Sequence, residues 1–368
     1  MSAVTISTHG LMEAGGSYNQ HAKVPADGGN LALPYLEKAA HCCTLPPGTA
    51  PFVIADYGSS QGKNSLAPMR AAIRCLRTRV GSERAVIVGH VDQHANDFNT
   101  LFDVLHNHPE RYSMDDPHVF PFGIGRSFYE NVFPREQVNL GWCSYAAFWL
   151  SRIPALIPGH FISHVSTGEA RAAFDRQAAD DWRLFLSLRA AELRDGGRLV
   201  VVLPGLSDAA ITGFEPLFHS ANAALEGLVS DGVISDDERK RMVVGVYPRR
   251  RAQLLEPFNA NGHFQSLSVE HCEIFDLPDA DWVDFQLNRN AEAFASRHAA
   301  FFRAIFVPSL AAAISDTRRR HSFANSLEQK LKQRLCEMPT PFHSFVQVTV
   351  LVKRSLAVTP LARSNAYK

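Results

Sequence analysis

The chain has 368 residues and balances 37 Lys and Arg against 37 Asp and Glu, so its formal net charge is zero with neutral histidines. That balance argues against nucleic acid or an anionic membrane as the main partner, because phosphate binding draws on clustered excess Lys and Arg. A composition of 46 % hydrophobic and 20 % charged residues excludes wholesale disorder, and the length admits one large domain with an insertion, or two domains.

The first residues, through Gly16, lack the basic patch and apolar run of a secretory signal. A short helix is expected near 31–40. Residues 52–57 form an apolar run that reads as a strand and ends in Gly58-Ser-Ser-Gln-Gly62. Residues 64–80 read as a helix, with Leu66, Met69, Ala72, Ile73 and Leu76 at helical spacing. Further strands are predicted at 85–88 and, more weakly, at 138–142. A long amphipathic helix is expected over 166–193, stopped at Asp195-Gly-Gly197, where glycine can adopt a left-handed cap. Strands follow at 199–203 and 345–352. Apolar runs alternating with helical patterns predict an α/β fold whose parallel sheet is covered by helices on both faces. Residues 205–314 lack strong strand signals and are expected to form a mainly helical cap. The implied division is 1–204 with 315–368 for the sheet domain and 205–314 for the cap.

No stretch reaches the ~18 apolar residues of a membrane span. The most apolar region, 299–314, is broken by Arg303 and Pro308. The six cysteines form no C-x-x-C pair and read as reduced thiols, neither disulfides nor a zinc site. A soluble, cytoplasmic protein without a metal is expected. His90 and His94 flank Asp92 but read as packing, and Arg249-Arg-Arg251 reads as a solvated basic loop.

The strand–loop–helix unit at 52–80 is the most informative local feature. Asp56 ends the strand, and Gly58 and Gly62 let the backbone turn tightly against a ligand. A second carboxylate, Asp92, follows the next strand, where it could accept hydrogen bonds from ribose hydroxyls. The loop fits neither G-x-G-x-x-G nor the P-loop, so a nicotinamide cofactor or ATP is disfavoured. It does fit G-x-S-x-G, the nucleophile elbow of α/β-hydrolases, with Ser60 as nucleophile. It also fits a plain structural turn. On local sequence these three readings stay open.

Other segments decide between them. In chain order they are Ser17-Tyr18, Ile54-Ala-Asp-Tyr-Gly-Ser-Ser-Gln-Gly-Lys-Asn64, Asp92 with Asn96-Asp-Phe-Asn99, Ser127-Phe-Tyr129, and Cys143-Ser-Tyr-Ala-Ala-Phe-Trp-Leu-Ser151. This series, running from about residue 12 to 354, resembles the SABATH family. Its members are the salicylic acid, benzoic acid and theobromine synthase-type methyltransferases, which use S-adenosylmethionine. The resemblance implies a Rossmann-like methyltransferase sheet with a helical cap. It implies S-adenosylmethionine as cofactor, held by Tyr18, Asp56, Gly58, Asn64, Asp92, Gln93, Ser127 and Phe128. Tyr145 and Trp149 are implied to hold a substrate carboxylate through the phenol and indole donors. Their four-residue spacing places both on one side of a helical turn. Phe148, Leu217, Phe218, Phe302 and Phe345 are implied to line an apolar substrate pocket.

The expected activity is transfer of methyl to the carboxylate of a small, largely apolar acid, with N-methylation of a heterocycle such as a purine as the alternative. A homodimer is implied by the same analogy. Departures stand beside the match. His21, Ala22 and Pro25 replace the family's Asn, Ser and Gln, and proline cannot donate the hydrogen bond that the Gln gives to the carboxylate. Either the carboxylate is held by fewer donors, or Gln20 or His21 supplies a new one. Tyr57 replaces Leu, and Ser59, Gln61 and Lys63 replace Cys, Ser and Pro of the loop.

Overall fold

The computed structural model describes residues 10–354. Residues 1–9 and 355–368, which include part of the stretch read for a signal and the ends of the predicted sheet domain, lie outside the described residues. Among the described residues eight strands build one sheet: β1 (Phe52–Tyr57), β2 (Val86–Asp92), β3 (Val119–Gly125), β4 (Val138–Ser144), β5 (Leu193–Pro204), β6 (His263–Phe264), β7 (Leu267–Pro278) and β8 (His343–Lys353). Their order is β3-β2-β1-β4-β5-β8-β7-β6. β1 to β5 run parallel, whereas β8 pairs antiparallel with both β5 and β7. The order reverses between β1 and β4, the switch point at which open α/β sheets bind ligands beyond their carboxyl ends.

β1 shows why the sheet is covered twice. Every residue of it is buried, and alternate side chains serve opposite faces. Val53, Ala55 and Tyr57 pack into a cluster with Trp182, Phe185 and Leu186 of the helix Gly168–Glu192. Phe52 and Ile54 pack instead with Leu36 and with Leu66, Met69, Ala72, Ile73 and Leu76. Those last five lie on the helix Lys63–Val80, on the stripe their spacing predicts. The α/β sheet with helices on both faces thus matches the sequence reading.

Three features differ from it. β3, Val-Phe-Pro-Phe-Gly-Ile-Gly, escapes a propensity search because Pro121 and two glycines interrupt it. It is an edge strand, and there a proline without an N–H can face outward at no loss to the ladder. β6 and β7 lie within 205–314, which thus contributes strands to the sheet as well as helices. Beyond Leu267, every residue of β7 is half-buried or exposed, and polar residues interrupt its apolar ones, so no continuous apolar run marks it. Asp195-Gly-Gly197 is not a helix cap: the helix ends at Glu192 and β5 begins at once. The two glycines form a bulge, for Val138 pairs with Leu193 but Leu140 with Arg198. Gly196 takes φ +71°, and a Cβ on Gly197 would lie 2.9–3.2 Å from three backbone carbonyl oxygens.

No described helix is long and apolar enough to cross a membrane. In the helix Ala291–Ala311, Arg303 pairs with Glu13 at 2.8 Å and with Glu328 at 2.7 Å. All six cysteines are unpaired thiols.

A buried ion pair ties the sheet to its covering helix. Arg189 and Glu192 are 2.9 Å apart with side chains 0 % and 1 % exposed. The Glu192 carboxylate also accepts from the Tyr57 hydroxyl at 2.7 Å and from the Val132 and Phe133 amides. Removing one partner of such a pair strands the other charge in a low-dielectric interior. Arg189→Ala is expected to lower unfolding free energy by about 3–5 kcal/mol in urea titration; a loss under about 1 kcal/mol would show that Glu192 finds water instead.

Candidate active site

The carboxyl ends of β1, β2, β4 and β5 open into one cavity with about 1050 Å³ of empty space, counted to its mouth. Of the residues predicted from sequence, Tyr18, Gly58, Asp92, Gln93, Phe128, Tyr145, Phe148, Trp149 and Phe218 line it. Asp56 and Asn64 line a small adjoining cleft with Tyr18, Gly58 and Ser144.

The glycine loop is shaped by contact. Gly58 has φ +90°, and a Cβ there would collide with Ala146, which follows β4. Bare backbone is therefore required where β1 and β4 diverge. Asp92 braces the loop from β2. One carboxylate oxygen accepts from the Ser60 amide at 2.7 Å, the other from the Gln93 amide at 2.8 Å. Each oxygen keeps a lone pair for a further donor. Burial pushes the Asp92 carboxyl up to about 6. Asp56 is more committed, since one of its oxygens accepts from Ser65 at 2.5 Å and meets His90 Nδ1 at 2.9 Å. His90 meets Tyr112 through Nε2 at 2.7 Å, so it is packing, as read, and lies inside β2.

The hydrolase alternative fails on the same loop. Ser60 has the positive φ of an elbow, +48°, but its buried hydroxyl has no hydrogen-bond partner and hence no base. The Ser59 hydroxyl and the Gln61 side-chain oxygen are likewise buried and unpaired. Three orphaned polar atoms on one glycine loop fit a polar ligand such as the amino-acid end of S-adenosylmethionine.

The substituted loop residues fasten the N-terminal segment over this site. Gln61 Nε2 donates to the Glu13 carbonyl at 2.6 Å, and Lys63 Nζ to the Asn19 carbonyl at 3.0 Å. The Asn19 amide returns a bond to the Gln61 carbonyl at 3.1 Å. Tyr18 lies between these anchors, and the Asn64 amide donates to the Ala22 carbonyl just beyond it at 3.3 Å.

Tyr145 and Trp149 do not share a helical turn. Tyr145 leaves β4 with φ +53°, the chain reverses through residues 146–148, and Trp149 forms a bridge with Val246. Both rings still reach the cavity. Gly28 exists to admit one of them, since a Cβ there would strike the Tyr145 hydroxyl; a Cβ on Gly10 would lie 2.8 Å from the Trp149 indole. The Tyr145 and Ser344 hydroxyls lie close together, yet each lacks a partner of good hydrogen-bond geometry. Burial pushes the Tyr145 phenol up to about 12, so it is a neutral donor at pH 7.

Arg249 corrects the reading of a solvated basic loop. It is 2 % exposed, and its guanidinium donates to the Ala147 carbonyl at 2.7 Å and the Ala178 carbonyl at 2.8 Å. The Tyr129 hydroxyl bonds the Trp149 carbonyl at 2.7 Å. The turn carrying Tyr145 and Trp149 is thus pinned from two sides. The available signal was the apolar run Val243-Val-Gly-Val-Tyr247 just before the arginines, all of it buried. Arg250 and Arg251 are exposed, but at the start of the helix Arg251–Leu255 and not in a loop.

Four predicted residues line neither the cavity nor the adjoining cleft. The Ser127 hydroxyl accepts from the Tyr129 amide and shapes the bend that presents Phe128. Leu217 is buried one residue away from Phe218, which faces the cavity instead. Phe302 packs on Phe161 and Phe306 in the core, while Phe301 and Ile305, on the neighbouring stripe of the same helix, line the cavity. A one-residue phase error on a 3.6-residue helix turns a side chain by about 100°. Phe345 stacks on His343 along β8. Gln20 and His21 open onto a separate pocket with Asp279 and His298, whereas Pro25 lines the main cavity. The sequence reading also missed His164, Thr212, Phe214 and Phe306 on the cavity wall.

The sequence profile of a family described as SAM-dependent carboxyl methyltransferases matches residues 6–355. A loganic acid O-methyltransferase of Catharanthus roseus is 31 % identical over 203 residues, covering 51 % of this chain and 53 % of that one. The match therefore spans about half the length of that relative. A 3,7-dimethylxanthine N-methyltransferase of Camellia sinensis var. assamica is 25 % identical over 342 residues, 86 % of this chain and 90 % of that one. A solved structure of a loganic acid methyltransferase with SAH shares the fold at a TM-score of 0.74 and 22 % identity, covering 93 % of this chain and 98 % of that chain.

Arg249→Met removes both donors while keeping much of the volume. Two buried carbonyls then lose their partners, at about 1–3 kcal/mol each. The expected outcome is a melting temperature lower by several degrees and a mobile Tyr145–Trp149 turn, seen as faster amide exchange at Trp149.

Proposed function

The chain belongs to the SAM-dependent carboxyl methyltransferase family, and on that premise we propose that it methylates the carboxylate of a small, largely apolar acid to give a methyl ester. The observation that carries this reading is the Tyr145 hydroxyl. It is a buried, neutral donor without a well-formed bond, in one cavity with Trp149 and with the paired-amide carboxylate of Asp92. A donor kept without a partner in an apolar site awaits an acceptor from a ligand.

In this reading Asp92 accepts from the two ribose hydroxyls, with Gln93 and Phe128 beside the adenosine. Tyr18, Gly58, Asn64 and Asp56 surround the amino-acid end, with Ser127 shaping the Phe128 bend. The cofactor supplies a methyl group already activated on a sulfonium sulfur. The residues of this chain have no proton to remove, because a carboxylic acid with a pKa near ~4 is an anion at pH 7. Their task is placement. Tyr145 and Trp149 donate to the carboxylate and aim one oxygen along the methyl–sulfur axis; such orientation is worth on the order of 7–11 kcal/mol in favourable cases. Neutral donors suit this task, since a cationic partner would lower the nucleophilicity of the oxygen. Pro25 supplies no donor, so Tyr145 and Trp149 carry the orientation. Phe148, Phe218 and Phe301 wall the space beyond them and favour an apolar acid. Retention of Trp149 favours the carboxylate over a heterocyclic nitrogen.

Turnover of labelled S-adenosylmethionine with a panel of benzoate, salicylate, indole-3-acetate, farnesoate, a medium-chain fatty acid and xanthosine tests the reading. Mass spectrometry should locate the methyl group on a carboxylate; an N-methyl product would replace the proposal with heterocycle methylation. Asp92→Ala is expected to weaken S-adenosylhomocysteine binding more than tenfold in calorimetry, and an unchanged affinity would remove Asp92 from the ribose role. Trp149→Phe should lower turnover and leave that affinity intact; equal loss of both would make Trp149 a packing residue. The raised Asp92 carboxyl sets a pH dependence. The ionised form accepts ribose hydroxyls and prevails above about pH 6, so affinity should be flat from pH 7 to 8 and fall toward tenfold per unit below pH 6.

A further inference from the structure

His164 lies on the short turn Ser163–Val165 and its side chain, 5 % exposed, forms part of the cavity wall. Neither ring nitrogen has a hydrogen-bond partner. Glu215 Oε1 is 3.7 Å from Nε2, too far for a hydrogen bond. That oxygen is already engaged by the Thr212 amide at 2.6 Å and the Thr212 hydroxyl at 2.9 Å, and Oε2 by the Gly213 amide at 2.8 Å. The Thr212 hydroxyl is spent as well, since it accepts from the Phe214 amide. Burial favours the neutral imidazole, which offers one N–H and one lone pair.

The rings around it set the geometry. His164 packs on Phe218 at a centroid distance of 5.3 Å, Phe218 on Phe306 at 5.5 Å, and Phe306 on Trp149 at 6.4 Å. Two phenyl rings therefore separate the imidazole from the indole. A ligand held at Trp149 would cross apolar wall before meeting a group able both to donate and to accept.

We propose that His164 is a specificity-determining residue that selects acids bearing a hydroxyl separated from the carboxylate by an apolar body. A hydroxyl matches a neutral imidazole because both donate and accept once. A site that hydrogen-bonds a substrate hydroxyl discriminates strongly against the analogue lacking it, since the protein group is then left unpaired. The inference rests on the proposed carboxyl methylation for the identity of the other end of the substrate.

The test uses matched acids with and without the hydroxyl: 3-(4-hydroxyphenyl)propanoate against 3-phenylpropanoate, 12-hydroxydodecanoate against dodecanoate, and 10-hydroxydecanoate against decanoate. Each is titrated calorimetrically into the full chain saturated with S-adenosylhomocysteine, and ester formation is measured separately. In the unsubstituted protein at least one hydroxy acid should bind tenfold or more tightly than its parent. His164→Phe should erase that difference by weakening the hydroxy acid while the parent changes less than threefold, and His164→Asn should restore part of it. Retained S-adenosylhomocysteine affinity in both variants shows that they are folded. Failure of every hydroxy acid to outbind its parent overturns the inference, as does equal weakening of both by His164→Phe. A binding preference without any ester keeps His164 and removes the carboxyl reading; esters formed without preference do the reverse.

Discussion

The buried pair Arg189–Glu192 governs much of this molecule. Two charges have been taken out of water, and desolvation of such a pair is barely repaid unless every other donor and acceptor is also met. Here they largely are. Glu192 receives Arg189, Tyr57 and the Val132 and Phe133 amides. Arg189 donates further to the Phe128 and Glu130 carbonyls and lies 4.1 Å over the Tyr57 ring. One node thus joins the end of β1, the segment after β3 and the long covering helix. Its consequence for the site is positional. Gly58 follows Tyr57 directly, and Phe128 is itself one of the bonded residues, so two walls of the cavity are set by the same charges.

A second buried arginine does comparable service for the turn carrying Tyr145 and Trp149. Arg249 holds the carbonyl of Ala147, and Tyr129 holds that of Trp149. At the start of this reversal Tyr145 takes a left-handed conformation that is costly for a bulky residue. Such strain persists only where surrounding bonds over-determine the backbone. The space for the two rings comes from glycines distant in sequence, Gly10 and Gly28. The N-terminal segment and the β4 turn are therefore fitted to each other, and Gln61 and Lys63 fasten that segment over the glycine loop.

The cavity that results is divided by chemistry. Asp92 and the unpaired polar atoms of residues 59–61 lie toward the glycine loop. Phenylalanines dominate the other part, with His164 as a polar point among them. Tyr145 and Trp149, the pair proposed to hold the carboxylate, line the same cavity.

The sequence by itself determined whatever depends on near neighbours. The strand–loop–helix unit of β1, the faces of the helix Lys63–Val80, and the order of Asp56, Asp92, Tyr145 and Trp149 all follow from short-range spacing. Family membership follows from the same motifs taken in order. Long-range packing decided the rest. Nothing in the local spacing of Arg189 and Glu192, three residues apart on a helix, marks them as buried, and Arg249 reads as one of three solvated arginines; only the fold buries them. The choice of Phe301 over Phe302 depends on a rotation that composition leaves open. β3 and β7 are strands because a neighbouring edge recruits them, against weak propensities of their own. Local spacing is written in the chain, whereas burial is a property of what the chain packs against. The cavity, its orphaned imidazole and its pinned turn therefore appear only in three dimensions.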